Sequence, residues 1–110
     1  MPESFVDYPY GADVEVIKNK KGKSFALIGD VDVASMKKSC GADAPIEDGD
    51  IFITLKCPPE LIFPFREQYA GCLPGYYSNK NHWNTIILGK DVPDTEILKM
   101  LAMSHDLVLA

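Results

Sequence analysis

The chain has 110 residues, nearly half of them apolar and a quarter charged, which suits one water-soluble globular domain and leaves no room for two. Its net charge of −5 has the wrong sign for general attraction to DNA or to anionic membranes. No apolar run approaches the roughly 20 residues that span a bilayer, and the start "MPESFVDYPYG" lacks the basic region and apolar stretch of a secretory leader.

Two β-rich stretches come first. "DVEVIKN" (13–19) and "KSFALIG" (23–29) flank Lys20, Lys21 and Gly22, a hairpin pattern with Gly supplying a positive-φ turn position. Residues 31–50 are small, polar and aperiodic, and read as an irregular loop with at most one short helical turn. Residues 30–50 hold six carboxylates (Asp30, Asp32, Asp43, Glu47, Asp48, Asp50) against Lys37 and Lys38, so most of the net negative charge falls there. What remains carries one basic cluster: Lys18, Lys20, Lys21 and Lys23.

"DIFITLK" (50–56) alternates as a third strand, with Ile51, Ile53 and Leu55 on one face and Phe52, Thr54 and Lys56 on the other. Pro58, Pro59 and Glu60 suit a helix start. Leu61, Phe65 and Tyr69 then make an apolar stripe, Gly71 suits the stop, and Pro64 predicts a kink. "TIILG" (85–89) is a fourth strand. A last helix begins near Asp94, with Ile97, Leu98, Leu101 and Val108 as its apolar face.

The order β-β-β-α-β-α predicts an α+β two-layer sandwich: an antiparallel four-stranded sheet with helices on one face. Alternation puts Ile86 and Leu88 on the helix-covered side. Trp83, Thr85 and Ile87 then join Phe52, Thr54 and Lys56 on an open face.

"GKS" (22–24) ends like a phosphate-binding loop. The required earlier Gly is replaced by Ile17, and a strand rather than a helix follows, so hairpin chemistry explains it better. His82 and His105 stand apart from any Cys or carboxylate at ligand spacing, so no metal site is expected. Cys40, Cys57 and Cys72 form neither a complete disulfide set nor a C-x-x-C pair, and free thiols in a reducing cytoplasm are the simplest reading. A Cys–His nucleophile pair would need Cys57 or Cys72 to meet His82, which spacing does not show.

The densest chemistry lies in "PGYYSNKNHWNT" (74–85), with the single Trp, three Asn, a Lys and a His. Tyr76, Asn79, Lys80, His82, Trp83 and Asn84 there suit stacking and hydrogen bonding to bases or peptides. Local packing explains them equally well, with Trp83 and Tyr76 closing the core and Asn79 and Asn84 capping turns.

This run, preceded by "LKCPPELIFPFREQY" and followed by "VPDTEILKML" and "SHDLV", resembles the YjbR/MmcQ family. "DYPYG" and "KSFALIG" fit as well, and the resemblance spans most of the chain. Its signature falls on Pro74, Gly75, Tyr76, Asn79, Lys80, His82, Trp83 and Asn84, with Lys56, Glu60 and Arg66 upstream. The resemblance implies a single domain over residues 1–110 with a frataxin-like (CyaY-like) fold. It also implies DNA binding by a double-wing arrangement, and no catalytic residue or cofactor.

Family members begin with a helix ahead of the equivalent of "DYPYG". Seven residues precede Tyr8 here, so that helix is expected to be missing, and residues 30–50 read as an acidic loop extension.

The resulting expectation is a non-catalytic domain. It would contact nucleic acid through Lys18, Lys20, Lys21, Lys23 and Lys56 and through Tyr76, Asn79, Lys80, His82, Trp83 and Asn84. The rival is a protein- or small-molecule-binding module that uses the same aromatic surface, favoured by the acidic net charge. An enzyme with His82 as base is a third reading. No membrane contact is expected, and the sequence sets no oligomeric state.

Overall fold

The computed structural model describes residues 4–8, 14–76 and 78–109. Pro9, Tyr10 and Gly11 of the "DYPYG" motif, and Tyr77, lie outside them. The described elements are β1 (Phe5–Asp7), β2 (Val14–Lys18), β3 (Ser24–Asp30), α1 (Val33–Cys40), β4 (Ile51–Lys56), α2 (Pro59–Gln68), β5 (Cys72–Pro74), β6 (Trp83–Ile87) and α3 (Asp94–Leu109). The strands form one six-stranded sheet in the order β1-β2-β3-β4-β6-β5, with every neighbouring pair antiparallel.

The four-stranded expectation is therefore wrong. The two strands it lacks, β1 and β5, are three residues each and lie at the sheet's two edges. Three residues cannot display an alternation, and β5 ends in a proline, which is tolerated on an edge.

The predicted hairpin forms as β2 and β3. The Asn19 N–H donates to the Lys23 carbonyl at 2.8 Å, and Asn19 Oδ1 accepts the N–H groups of Lys21 and Lys23. Gly22 takes φ +78°, the left-handed region that favours glycine. The register shifts between Ile17 and Lys18, which leaves Phe25 out of the ladder. Phe25 meets the His105 ring of α3 edge-on at 4.9 Å.

Two cores lie on opposite faces of the sheet. One packs Ala26, Ile53, Leu55 and Ile86 against Ile97, Met100 and Val108 of α3, with Phe65 and Tyr69 at the α2 end. The helix stripe read from the sequence holds at Ile97, Leu101 and Val108 but fails at Leu98, which is 64% exposed, while Met100, outside the stripe, is buried. Leu88 is likewise exposed, because the strand ends at Ile87.

The second core corrects both the two-layer sandwich and the open face. Phe52, Thr54, Thr85 and Ile87 do share one side of the sheet, but each is fully buried. Met36 of α1, Val31 and Ile46 cover that side together with Tyr76 and Trp83. Helices therefore occupy both faces, and neither the helices-on-one-face layout nor the frataxin-like assignment describes this molecule.

The segment read as a loop contains α1 because Asp32 caps it. The Asp32 carboxylate accepts the Ser35 N–H at 3.2 Å, and Lys37 and Lys38 in the last turn complement the helix dipole. Met36 and Ile46 supply apolar contacts at a spacing too sparse for a period to show.

Candidate functional site

The register places several expected site residues at one end of the sheet. Lys18 pairs with Ser24, Lys56 with Trp83, and Pro74 with Asn84, so the hairpin turn, the end of β4 and the turn before β6 share that end. Strands lie about 4.8 Å apart, so the hairpin turn sits roughly 12 Å from the start of β6. The opposite end carries Asp30, paired with Ile51. Asp32 begins α1 there, and the Val31 N–H binds the Asp50 carbonyl, which returns the acidic segment to the same place. Asp30, Asp32 and Asp48 line one open groove at that end. The hairpin lysines and the groove of Asp30, Asp32 and Asp48 thus lie at opposite ends of the strands, although Asp7 pairs with Lys18 at the basic end and Lys90 pairs with Asp50 at the other.

Within the basic end, Lys18 is engaged by Asp7 at 2.9 Å. That contact, with the Tyr8 N–H on the same carboxylate, holds the Asp7 carboxyl below the usual range. Lys20, Lys21 and Lys23 are exposed on the turn, and the Lys56 side chain is half-buried.

The signature turn is largely a clasp. Gly75 passes so close to β6 that a Cβ there would lie 2.8 Å from both the Cβ and the carbonyl oxygen of Trp83, so only glycine fits. The Tyr76 N–H donates to Thr85 Oγ1 at 2.8 Å, and Thr85 shares a 2.6 Å hydroxyl contact with Thr54. The Tyr76 ring meets Phe52 edge-on at 5.5 Å. Trp83 is half-buried against the second core.

Asn84 is buried, donates to the Ile62 carbonyl at 3.2 Å and accepts Arg66 Nε at 2.6 Å. Arg66 Nη2 donates to the carbonyls of Lys80 and Trp83. Lys80 Nζ donates to Ser39 Oγ and to the Gly75 carbonyl, both at 3.0 Å, which ties α1 to the turn. Asn79 closes the turn: its carbonyl accepts the His82 N–H and its side chain accepts the Asn81 N–H. Of the signature residues in this turn, Asn79, Lys80 and His82 are exposed.

His82 is tied to Cys57 backbone to backbone, its carbonyl accepting the Cys57 N–H at 2.8 Å. Burial pushes the Cys57 thiol up to about 11, helped by Glu60 and opposed by Arg66. Burial likewise raises Cys72 to about 12, so neither thiol is poised as a nucleophile near neutrality. Among the described residues, no group of three or more His, Cys, Asp or Glu side chains converges as metal ligands. No helix among them is long and apolar enough to cross a membrane.

Two residues outside the expected set stand at this site. Phe63, on the outer side of α2, is 61% exposed, and the Arg66 guanidinium lies 5.3 Å from its ring centroid. Phe63 falls between stripe positions, so helical spacing hides it. Arg66 belongs to the family signature, but nothing in its spacing marks it as the link between α2 and the turn.

A family model described as YjbR matches residues 1–107. The chain is 34% identical over 101 residues to the uncharacterized protein YyaQ of Bacillus subtilis strain 168, covering 91% of this chain and 77% of that one. It is 34% identical over 53 residues to the uncharacterized protein YjbR of Escherichia coli K12, covering 48% and 45% of the two chains. Among solved structures, a Pseudomonas syringae protein matches at TM-score 0.78 and 27% identity, over 96% of this chain and 87% of its own. Deinococcus radiodurans protein DR2400, a DUF419 domain, matches at TM-score 0.72 and 26% identity, over 98% and 70%. The likeness in fold is to these proteins, which takes the place of the frataxin-like expectation.

Proposed function

We propose, from the premise that this chain belongs to the YjbR family, that it is a non-catalytic binding module that contacts the phosphate backbone of nucleic acid with the basic end of its sheet. The observation that carries this reading is the distance, along the strands, between the hairpin lysines and the acidic segment 30–50. The hairpin turn with Lys20, Lys21 and Lys23 lies at the end opposite Asp30, Asp32 and Asp50. Screening confines electrostatic influence to about 10 Å, so a phosphate at the turn meets the local lysines and not the distant acids. The net charge of −5 is then no obstacle to local binding.

The clasp around Asn84 and Arg66 supports a division of labour. Lys80, Trp83 and Asn84 position the turn, and the exposed His82 and Asn79 side chains are left as its outward polar groups. Phosphate contacts position a protein without reading sequence, so affinity should vary little with base composition. Fluorescence anisotropy with labelled duplex and single-stranded DNA at low salt tests the reading. Saturable binding that is indifferent to sequence supports it. Absence of binding at low salt, where electrostatics are strongest, removes it in favour of a protein or small-molecule partner.

A further inference from the structure

The Arg66 guanidinium donates to the backbone carbonyl of a second cation, Lys80. Among the described residues neither forms an ion pair: every hydrogen bond from Arg66 goes to a neutral oxygen, Asn84 Oδ1 or a backbone carbonyl, and those from Lys80 go to Ser39 Oγ and the Gly75 carbonyl. Arg66 Nη1 has no hydrogen-bond partner among them. Burial lowers the Arg66 pKa, so this positive charge is partly desolvated with no carboxylate in contact with it among the described residues. A desolvated, uncompensated charge is costly, and an anion relieves it.

Arg66 also lines a groove of about 460 Å³ between residues 40–45 and the β5 edge. The remaining walls are mostly small and apolar, including Ala42, Ala44 and Leu73, with Asp43 the one acid of the lining. A guanidinium at one wall and apolar surface around it is the usual composition of a small-molecule site. A guanidinium also matches a carboxylate or phosphate in shape as well as charge.

The geometry points to a binding site in this groove for a small organic oxyanion, its carboxylate or phosphate on Arg66 and its apolar body against Ala42, Ala44 and Leu73. The site is separate from the hairpin and goes beyond the nucleic-acid reading.

NMR on the full chain tests it, following the Arg66 Nε–H and the amides of Ala44 and Leu73. The probes are inorganic phosphate and butyrate, against sodium chloride at matched ionic strength. Saturable shifts with either probe and none with chloride are expected. Butyrate alone identifies a carboxylate site, and phosphate alone a phosphate-monoester site. Ala42 is exposed, so Ala42→Glu should leave the melting temperature unchanged while weakening binding at least about tenfold by like-charge repulsion. The joint Lys20→Gln, Lys21→Gln and Lys23→Gln variant should bind both probes as the native chain does. The site is overturned if neither probe saturates, if Ala42→Glu binds normally, or if the hairpin variant loses the shifts.

Discussion

Ser104 of α3 bridges the point where β3 and β4 part: its hydroxyl donates to the Phe25 carbonyl at 2.6 Å and accepts the Lys56 N–H at 2.9 Å. One side chain thus completes the ladder between Phe25 and Lys56 and fixes the height of the helix on the sheet. Ser104 is fully buried, so neither backbone group has water as a substitute.

Ser104→Ala should therefore strand an N–H and a C=O. The expected cost is about 2–6 kcal/mol, at roughly 1–3 kcal/mol for each buried group left unpaired. Urea denaturation measures it. A loss below about 0.5 kcal/mol would mean that the backbone closes the gap unaided.

Met36 tests whether residues 31–50 belong to the core. The sequence reads as an irregular acidic loop, but Met36 is fully buried and Ile46 is only 5% exposed. Met36→Ala should cost about 2–5 kcal/mol. Replacing residues 36–49 by a short Gly-Ser turn should abolish the cooperative melt by uncovering Phe52 and Ile87. A retained sharp transition would contradict the second core.

Asp91 gives a pH dependence with a defined sign. Its carboxylate accepts the Gly71 N–H at 2.7 Å and the Ala70 N–H at 2.6 Å. Desolvation acts to raise its pKa, but the Gly71 and Ala70 hydrogen bonds outweigh it and hold the carboxyl below its ordinary value. A folded pKa below the unfolded one stabilises the fold fully above the unfolded value, about 3.9, and the gain is lost as pH falls through the folded value. Asp91→Ala should be less stable than the native chain at pH 7, and the gap should close progressively below about pH 4. Denaturation series at both pH values check this; a gap that widens in acid would reverse the assignment.

What the sequence reveals here follows from period and length. β2, β3, β4 and β6 are long enough to alternate, and the two faces read from Ile53, Leu55 and Ile86 and from Phe52, Thr54 and Ile87 are the faces observed. β1 and β5 are too short to carry a period, and α1 hides among polar residues because Met36 is its one fully buried side chain. Without α1 in view, alternation alone makes the second face look open, and α1 covers it. At the site, the aromatic and amide residues of 74–85 stand out by composition. Their partners do not: Asn84 meets Arg66 and Lys80 meets Ser39 only through tertiary packing.

The central claim is that the hairpin turn binds phosphates, and the salt dependence of DNA affinity tests it most directly. If Lys20, Lys21 and Lys23 each neutralise one phosphate, log affinity for a duplex should fall against log salt with a slope near −2.7, at roughly −0.9 per contact. Changing all three to Gln should flatten that slope and weaken binding to every sequence alike, with the melting temperature unchanged. A slope that survives the triple substitution would contradict the account and move the contact away from the hairpin.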